Sequence, residues 1–313
     1  MVEKNLMTKA LSSLAVLCLG ISLLTGCEAQ KCDVPVGDGD QGTEEQQTTE
    51  GICLKSLKKF KGANPIERSA AWLPGSPISI DGVNGQIEVV QGSSNTVVAT
   101  FHPFVIRAYD TSQDEILANL EHLEGTATGD AGGVSGAVEV RSRRNGTVPS
   151  TLGADITVEI PPTFDGVLTV HQNNGSTDIR FSGSATAVNL NSENGSSDVN
   201  VSPSATALDI FGDNGGLSVN VPAVPPGTES RTIHSGLGDV GLSFGSVPAG
   251  TKFSVMAFAP DGVVDTGNAE SAGCTLVQPV NPGSKTVRCN GATDADPVYK
   301  VNADDLSDIA LTF

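Results

Sequence analysis

From about Pro77 onward, apolar residues alternate with polar ones in short runs that Gly, Asn and Ser separate. A period of two is typical of β-strands that bury one face. We therefore predict an all-β domain. Its first strands are expected at residues 78–80, 86–90, 96–101, 137–141, 155–160 and 166–170.

One helix is predicted among these strands. Ser112 is followed three residues later by Glu115, which is the signature of a capping box at a helix N-terminus. The apolar residues that follow fall on one side of such a helix. We expect the helix region, residues 112–124, to cover the N-terminal side of the sheet with a stripe formed by Ile116, Leu117, Leu120 and Leu123.

Internal repetition dominates the middle of the chain. Three segments that begin at Asn174, Asn194 and Asn214 align without gaps, at a constant spacing. Each begins with Asn-Gly and continues as an alternating strand, and a second strand repeats at the same interval. A fixed period of about 20 residues is typical of solenoids. We predict a β-solenoid, similar to a parallel β-helix, with about 20 residues per coil.

Asn-Gly pairs also occur in the turns of β-hairpins. Here each segment resembles the corresponding segment of the next repeat more than its immediate neighbour, which favours parallel stacking of the coils. Such stacking would place Ile179, Val199 and Val219 in one interior row. It would also bring the corner asparagines together, and we expect their side chains to form a hydrogen-bonded ladder: Asn174, Asn194 and Asn214.

The repeat loosens after residue 221, where a proline-rich insertion begins. We align residues 239–244 with residues 218–221 at a spacing of 21 and expect Phe253 to begin a further coil. Solenoid ends expose strand edges and need caps. We expect the segment bracketed by Cys274 and Cys289 to close the C-terminal end, together with the alternating run at residues 308–313.

Residues 1–26 are organised as a secretory signal, with a basic start and an apolar stretch at residues 10–24 that is too short to span a membrane. The stretch ends in Leu24-Thr25-Gly26-Cys27, which resembles the bacterial lipoprotein box. That resemblance implies acylation of Cys27, with palmitate among its acyl chains, and anchoring to a membrane. Glu28 resembles the class that is sorted to the outer membrane. The alternative is an ordinary signal peptide that leaves Cys27 free.

Four regions follow from these patterns: a lipoprotein signal peptide (1–26), a lipidated tether with a basic turn (27–74), the β-solenoid domain (75–270) and a C-terminal cap (271–313). Residues 28–51 are polar and acidic, which is typical of a linker. Residues 54–61 are basic. We expect them to form a solvated turn, with contact to anionic lipid headgroups as the alternative.

The charge balance limits the partners. The chain has 36 Asp and Glu against 18 Lys and Arg, a net charge of −18. Nucleic-acid binding draws on clustered basic residues, so we do not expect it. Cysteine usage agrees with export to an oxidising compartment. Proximity favours pairing Cys32 with Cys53 and Cys274 with Cys289, and the spacings do not fit a zinc site.

We find no catalytic motif and predict no cofactor and no metal. The alternatives are a Ca²⁺ site or an acid/base pair acting on a sugar, formed by stacked carboxylates beside the Asn-Gly corners of successive coils. These carboxylates are Asp178 with Asp198, and Glu193 with Asp213. Ser218 replaces the aspartate in the third coil, and aromatic residues that would grip a sugar are few. We therefore expect the acids to be solvated.

The segments NGQIEVVQ and ADITVEIPPTFDGVLTVHQNNGSTDIRF, followed by repeated NG..DV.V units, resemble the bacterial putative-adhesin family. The resemblance covers residues 75–270 and implies a β-helical domain with an adhesive role and no catalytic residues. We therefore expect a lipid-anchored cell-envelope protein at the outer membrane, on its periplasmic face or on the cell surface. It would bind a protein or a polysaccharide without catalysis. The alternatives are a carbohydrate-active or Ca²⁺-dependent sugar-binding protein and a structural periplasmic protein.

Overall fold

The computed structural model describes residues 29–35, 48–54, 57–108, 111–181, 183–201, 204–224, 229, 231–245, 247, 250–277 and 283–313. This part of the chain is mostly β, with one short α-helix and a 3₁₀ turn at Ala131–Gly133. The signal segment 1–26 and Cys27 lie outside the described residues. The elements in chain order are β1 (Ala29–Pro35), β2 (Thr48–Leu54), β3 (Leu57–Lys61), β4 (Ile66–Ala71), β5 (Ile78–Asn84), β6 (Ile87–Gln91), β7 (Thr96–Ala108), α1 (Gln113–Leu120), β8 (Leu123–Gly129), β9 (Val138–Arg144), β10 (Leu152–Ile160), β11 (Val167–Asn174), β12 (Thr177–Arg180), β13 (Ala187–Asn194), β14 (Ser197–Asn200), β15 (Ala207–Asn214), β16 (Leu217–Val221), β17 (Arg231–Leu237), β18 (Val240–Phe244), β19 (Phe253–Phe258), β20 (Val264–Asp265), β21 (Cys274–Val277), β22 (Ser284–Cys289), β23 (Val298–Ala303) and β24 (Ile309–Thr312).

The strands form two large mixed sheets and one separate pair. Among the described residues, sheet I has eleven strands in the order β21-β22-β19-β23-β17-β15-β13-β11-β5-β9-β8. Sheet II also has eleven, in the order β20-β24-β18-β16-β14-β12-β6-β10-β7-β3, with β4 paired to β7. Strands β1 and β2 pair with each other in antiparallel orientation. The six strands predicted before residue 171 correspond to β5, β6, β7, β9, β10 and β11.

Each repeat contributes one strand to each sheet, and like strands stack in parallel. Val170, Leu190 and Ile210, which hold one position in successive repeats, are aligned across β11, β13 and β15 of sheet I. Ile179 and Val199 are aligned in the same way in sheet II. The predicted parallel stacking and the repeat spacing are therefore confirmed for these three repeats.

The stack begins earlier than the repeat in the sequence indicates. Strand β5 pairs in parallel with β11, and β6 pairs in parallel with β12, so residues 78–91 supply a preceding coil. Strands β7 to β10 and helix α1 are inserted in the chain between this coil and the next. Of these, β9 and β10 return to the sheets beside β5 and β6 in parallel orientation.

The apolar faces of the two sheets meet in one continuous core. Aromatic rings close it at two places. Phe164 lies between Trp72 and Phe181, with ring centroids 5.6 Å apart in both pairs. Towards the C-terminus, Phe244 packs against Phe253 at 4.7 Å, and the same cluster holds Tyr299 and Phe313. The few aromatic residues are thus used mainly inside the fold.

Tyr299 is the titratable residue of this cluster, and it is fully buried. Burial raises the pKa of its hydroxyl to about 12, and the positive charge of Arg231 opposes that change only partly. The Arg231 guanidinium lies 5.3 Å from the centre of the Tyr299 ring. Within the described part of the chain, the Tyr299 hydroxyl has no hydrogen-bond partner.

The alignment expected for residues 239–244 is wrong by two residues. Strands β16 and β18 pair with Ser218 opposite Gly241 and Val219 opposite Leu242, a spacing of 23 instead of 21. A shift of two keeps each side chain on the same face, so alternation alone does not distinguish the two alignments. The corner glycines decide between them, because Gly238 lies against Gly215 and both have a φ near +142°.

The last strands continue both sheets. Strand β23 lies between β17 and β19 in sheet I, and β24 lies between β18 and β20 in sheet II. The run at residues 308–313 is therefore a further parallel layer of sheet II. Phe253 does begin a strand, but β19 pairs with β23 and not with β17. Cys274 and Cys289 form a disulfide between β21 and β22.

Helix α1 begins as the capping signature predicts. The Ser112 hydroxyl accepts a hydrogen bond from the Glu115 N–H at 3.3 Å. Ile116 and Leu120 are buried, whereas Leu117 is 47% exposed. Within the helix, the buried stripe therefore consists of Ile116 and Leu120 alone. Leu123 lies in strand β8, because the helix ends at Leu120.

The N-terminal region contains more regular structure than its composition indicates. Strands β1 and β2 lie within and beside the segment assigned to the tether. The basic residues 57–61 form strand β3, paired with β7, and not a solvated turn. Lys59 donates hydrogen bonds to both carboxylate oxygens of Asp155 in β10, at 2.8 and 2.9 Å. Phe60 packs against the core, and Asp155 forms ion pairs with Lys59 and Lys61, so these contacts offset the repulsion among the lysines.

The ionised form of the Asp155 carboxyl is stabilised where β3 lies close to β10. Partial burial by itself would raise the pKa of its carboxyl, but the hydrogen bonds from Lys59 and from the Gln86 N–H, with the charges of Lys59 and Lys61, hold that pKa below its ordinary value. The Lys59 ammonium also lies 3.8 Å from the centre of the Phe104 ring. Lys59 is therefore engaged within the fold.

Candidate functional site

The asparagine corners form a continuous ladder of side-chain amides. Nδ2 of Asn194 donates to Oδ1 of Asn174 at 3.1 Å, and Nδ2 of Asn214 donates to Oδ1 of Asn194 at the same distance. The ladder extends to Asn84, whose Oδ1 accepts from Nδ2 of Asn174 at 3.0 Å. The ladder is a structural element because its amides satisfy one another and the neighbouring main chain.

The ladder has defined ends. Nδ2 of Asn84 donates to the carbonyl oxygens of Ser150 and Leu152, at 2.6 and 2.8 Å, which ties the first corner to β10. At the other end Leu237 is aligned with Asn214. Leu237 has no side-chain amide and is 50% exposed, so the ladder stops there.

A second row of residues crosses the outer face of sheet II. At one register position the outward residues change from acidic to small and back to acidic. In strand order from β6 to β20 they are Glu88, Asp178, Asp198, Ser218, Gly241, Ala310 and Asp265. Neighbouring strands are about 4.8 Å apart, so the small residues of β16, β18 and β24 make a floor about 10 Å long.

This floor belongs to a shallow groove of about 850 Å³. Asp198 and Asp265 stand at the two ends of the floor, and Asp178 lines the groove one strand beyond Asp198. Asp239 and Asp308, which directly precede strands β18 and β24, line one side of the groove. None of the described residues that line the groove is Lys, Arg or His. The groove is therefore negatively charged, with an uncharged floor.

Main-chain groups orient three of these carboxylates. One oxygen of Asp239 accepts from the Asp308 N–H at 2.9 Å, and one oxygen of Asp308 accepts from the Val263 N–H at 2.7 Å. Asp265 accepts from the Gly267 N–H at 2.9 Å. Among the described residues the second oxygen of each carboxylate has no partner, so each is able to accept a hydrogen bond from a ligand.

Asp178 and Asp198 are adjacent, as the repeat predicts, but their surroundings differ. Asp178 is 7% exposed, and both of its oxygens accept hydrogen bonds from Arg180, one of them at 3.0 Å from Nε. Asp198 is exposed and has no ion-pair partner among the described residues. Asp178 is thus already paired, which weakens the alternative of a calcium site or an acid/base pair at these two residues.

The other acidic corner residues, Glu193 and Asp213, belong to strands β13 and β15 of sheet I. Oε1 of Glu193 lies 3.6 Å from Nε2 of His171, and Nδ1 of the same histidine lies 3.3 Å from Asp81. Oδ2 of Asp213 accepts from Nδ2 of Asn214 at 3.2 Å. Across the described residues, no group of three or more His, Cys, Asp or Glu side chains is arranged to hold a metal ion.

The cysteines lie away from both surfaces. The Cys274–Cys289 disulfide joins β21 to β22 at the C-terminal edge of sheet I. Strands β1 and β2 carry Cys32 and Cys53, with Cys32 aligned with Gly51 and Cys53 aligned with Gln30. The pairing of these two cysteines stays a prediction.

Two solved structures are similar to the chain. One is a putative cell adhesion protein from Clostridium sporogenes, with 10% identity and a TM-score of 0.45, over 80% of this chain and 99% of that one. The other is a putative adhesin from Bacteroides fragilis, with 10% identity and a TM-score of 0.25, over 80% of this chain and 98% of that one. No family model and no curated protein matches the sequence. At identities and TM-scores this low, the similarity assigns neither a family nor a ligand.

Sequence reasoning missed two parts of these surfaces. Asn84 precedes a glycine, as the other ladder asparagines do, but an insertion separates it from the repeat. The groove floor was missed because Gly241 and Ala310 come together only through the pairing of β18 with β24. No helix in the described part of the chain is both long enough and apolar enough to cross a membrane.

Proposed function

We propose that this chain is a lipid-anchored protein of the bacterial cell envelope, in which a two-sheet β-solenoid presents the sheet II groove to an extended macromolecular ligand. The lipoprotein box at Cys27 supports the anchor. The solenoid is supported by the parallel coils, each of which contributes one strand to each of the two facing sheets. The groove binds its ligand without catalysis, in keeping with an adhesive role.

The main support for a binding site in this groove is the glycine at position 241. Glycine in a strand interior lowers stability, and it is otherwise found at bulges, at bends or where another group approaches closely. Gly241 pairs regularly with Ser218 and Ala310, and a Cβ placed there would meet nothing nearer than the Leu217 carbonyl oxygen at 3.9 Å. Packing therefore does not require a glycine at this position, and the missing side chain leaves the sheet open to close approach of a ligand.

The chemistry of the groove defines the class of ligand. Free carboxylate oxygens at Asp198, Asp239 and Asp308 are acceptors, so the ligand must offer hydroxyl or ammonium donors. An anionic polymer would be repelled because no lining residue among those described is basic. A neutral polysaccharide or a lysine-containing protein segment fits these conditions.

A floor-filling substitution tests the groove directly. Gly241→Phe places a large ring on the floor, where there is open space for a side chain. The matched control is Thr169→Phe, which adds the same ring to the outer face of sheet I. We expect the purified full chain to bind to at least one member of an array of neutral polysaccharides and lysine-containing peptides. Gly241→Phe should lose at least about tenfold in affinity, equivalent to about 1.4 kcal/mol, while the control binds like wild type.

Two outcomes contradict the groove. Equal binding by wild type and Gly241→Phe would place the ligand elsewhere. Equal losses in both phenylalanine variants would indicate a general effect on the protein. If binding requires Ca²⁺ and disappears when Asp178 and Asp198 are both replaced by Asn, the calcium-dependent sugar-binding alternative takes its place.

The anchor and the location need a separate experiment. We expect wild type to partition into the detergent phase and Cys27→Ala to remain in the aqueous phase. Protease treatment of intact cells should degrade the wild-type protein if it faces the outside. Complete protection would favour a structural role in the periplasm.

A further inference from the structure

The chain contains six Asn-Gly dipeptides, and the fold treats them differently. Asn-Gly is the dipeptide most prone to spontaneous deamidation, because glycine offers no Cβ to hinder the reaction. The backbone nitrogen of the glycine attacks Cγ of the asparagine and loses its proton as the N–Cγ bond forms. The Cγ–Nδ2 bond breaks, and Nδ2 takes up a proton and leaves as ammonia. Water then opens the cyclic imide to aspartate or isoaspartate. The asparagines concerned are Asn84, Asn145, Asn174, Asn194, Asn214 and Asn290.

In the corner ladder the attacking nitrogen is engaged. The N–H of Gly175 donates to the Asn194 carbonyl oxygen at 2.7 Å, and the N–H of Gly195 donates to the Asn214 carbonyl oxygen at 2.7 Å. The corners at Gly85 and Gly215 have the corresponding bonds, at 2.8 and 2.7 Å. The asparagine amides are held by the ladder as well. Succinimide formation there requires prior local opening of the stack.

Asn290 is restrained in another way. Its Nδ2 donates to the Thr251 carbonyl oxygen at 2.8 Å, and its backbone N–H donates to the Gly273 carbonyl oxygen at 3.3 Å. The residue follows directly after Cys289 of the disulfide and is partly buried. The side chain and the main chain of Asn290 are therefore each held by one hydrogen bond to a distant segment.

Asn145 differs from the ladder asparagines at the attacking nitrogen, which none of the described residues engages. It is exposed and follows the last residue of β9. The N–H of Gly146 has no hydrogen-bond partner among the described residues, and Gly146 has a φ of +79° in an open turn. The asparagine amide makes a single hydrogen bond, from Nδ2 to the Glu124 carboxylate at 3.1 Å. This pair is at the surface, so it holds the side chain only weakly.

We propose that Asn145 is a site of spontaneous deamidation in the folded protein and that the ladder asparagines are protected from it. The product carries a carboxylate beside Glu124, which replaces a hydrogen bond with repulsion between two negative charges. Isoaspartate also adds a methylene group to the main chain where β9 ends. The modification would therefore loosen the end of the β8–β9 pair, which the Asn145 N–H closes by donating to the His122 carbonyl oxygen at 2.8 Å.

Peptide mass mapping with isoaspartate detection tests the proposal on the purified full chain, incubated in mildly alkaline buffer. We expect Asn145 to gain one mass unit at least about tenfold faster than any ladder asparagine, because opening one Gly N–H bond costs about 1.4 kcal/mol. In urea, where the fold is lost, the ladder sites should react at rates similar to that of Asn145. Asn145→Gln should remove the fast reaction and leave the ladder sites unchanged.

Two results would overturn the proposal. One is a ladder asparagine that reacts as fast as Asn145 in the folded protein. The other is an unmodified Asn145 in the folded protein under conditions in which the urea-unfolded chain reacts at this residue.

Discussion

Removal of one amide from the middle of the corner ladder should weaken the whole stack. Asn194 makes three hydrogen bonds: Nδ2 donates to Oδ1 of Asn174 and to the Asn173 carbonyl oxygen, and Oδ1 accepts from Asn214, each at 3.1 Å. A net hydrogen bond contributes about 1 kcal/mol, so complete loss would cost about 3 kcal/mol. The residue is partly exposed, and water will replace part of this. We therefore expect Asn194→Ala to lower the free energy of unfolding by about 2 kcal/mol.

Asn191→Ala is the matched control. Asn191 lies on the same strand, β13, but it is exposed, and its side chain makes no hydrogen bond with the described residues. Its replacement should change stability by less than about 0.5 kcal/mol. Urea unfolding followed by far-ultraviolet circular dichroism measures both variants. Fluorescence of Trp72, which is buried against Phe164, provides a second probe, and coincident transitions would justify a single free energy.

Asn194→Asp distinguishes a ladder from simple filling of space. An ionised carboxylate cannot donate to Oδ1 of Asn174 and would repel it, whereas a protonated carboxyl retains one donor. The aspartate variant should therefore be at least as unstable as Asn194→Ala at neutral pH, and the difference between it and wild type should narrow in acid. Equal stability of Asn194→Ala and Asn191→Ala would refute the ladder as a source of stability.

Three further substitutions and one control variant test other parts of the fold. Gly195→Ala should lower the free energy of unfolding by more than about 3 kcal/mol, because the φ of Gly195 is +129° and a Cβ would overlap the carbonyl of the preceding corner. The control is Gly75→Ala, at φ +78° in open space, which should cost only about 1 kcal/mol of backbone strain. Asp155→Asn should cost about 1 kcal/mol at neutral pH. Because the folded-state pKa of Asp155 is lowered, this contribution is present above the unfolded pKa and disappears as pH falls through the folded one, so urea titrations of wild type and variant should converge in acid. Tyr299→Phe should leave stability unchanged or raise it by up to about 1 kcal/mol, because the buried hydroxyl has no partner, and it should remove the phenol titration near pH 12 from the ultraviolet spectrum.

The parallel stacking of like strands was predictable because the same strand pattern recurs in the sequence at a constant spacing. Like strands occupy like positions, so a constant spacing in sequence becomes a parallel register in space. The ladder followed from the same rule, since Asn174, Asn194 and Asn214 hold one position in successive coils. The helix start at Ser112 was predictable because a capping box is encoded within a short local segment.

The remainder depends on contacts between distant segments, which a period does not encode. Strands β5 and β6 join the stack across an insertion, so Asn84 lies outside the regular spacing. The basic strand β3 is held by Asp155 and by β7, neither of which is near it in the chain. The groove floor needs the pairing of β18 with β24, which places Gly241 beside Ala310.

Glycine has different roles at the Asn-Gly corners and in the outer row of sheet II that forms the groove floor. At the corners, glycine is needed because the backbone has positive φ and the preceding coil leaves no room for a Cβ, as at Gly195. At Gly241 the backbone is an ordinary strand with open space above it, and the missing side chain costs about 0.5–1 kcal/mol relative to alanine. This open position supports the proposed close approach of a ligand at Gly241. Because the outer row contributes nothing to the core, its acids and small residues can be set by a ligand while the corner row keeps the coils in register.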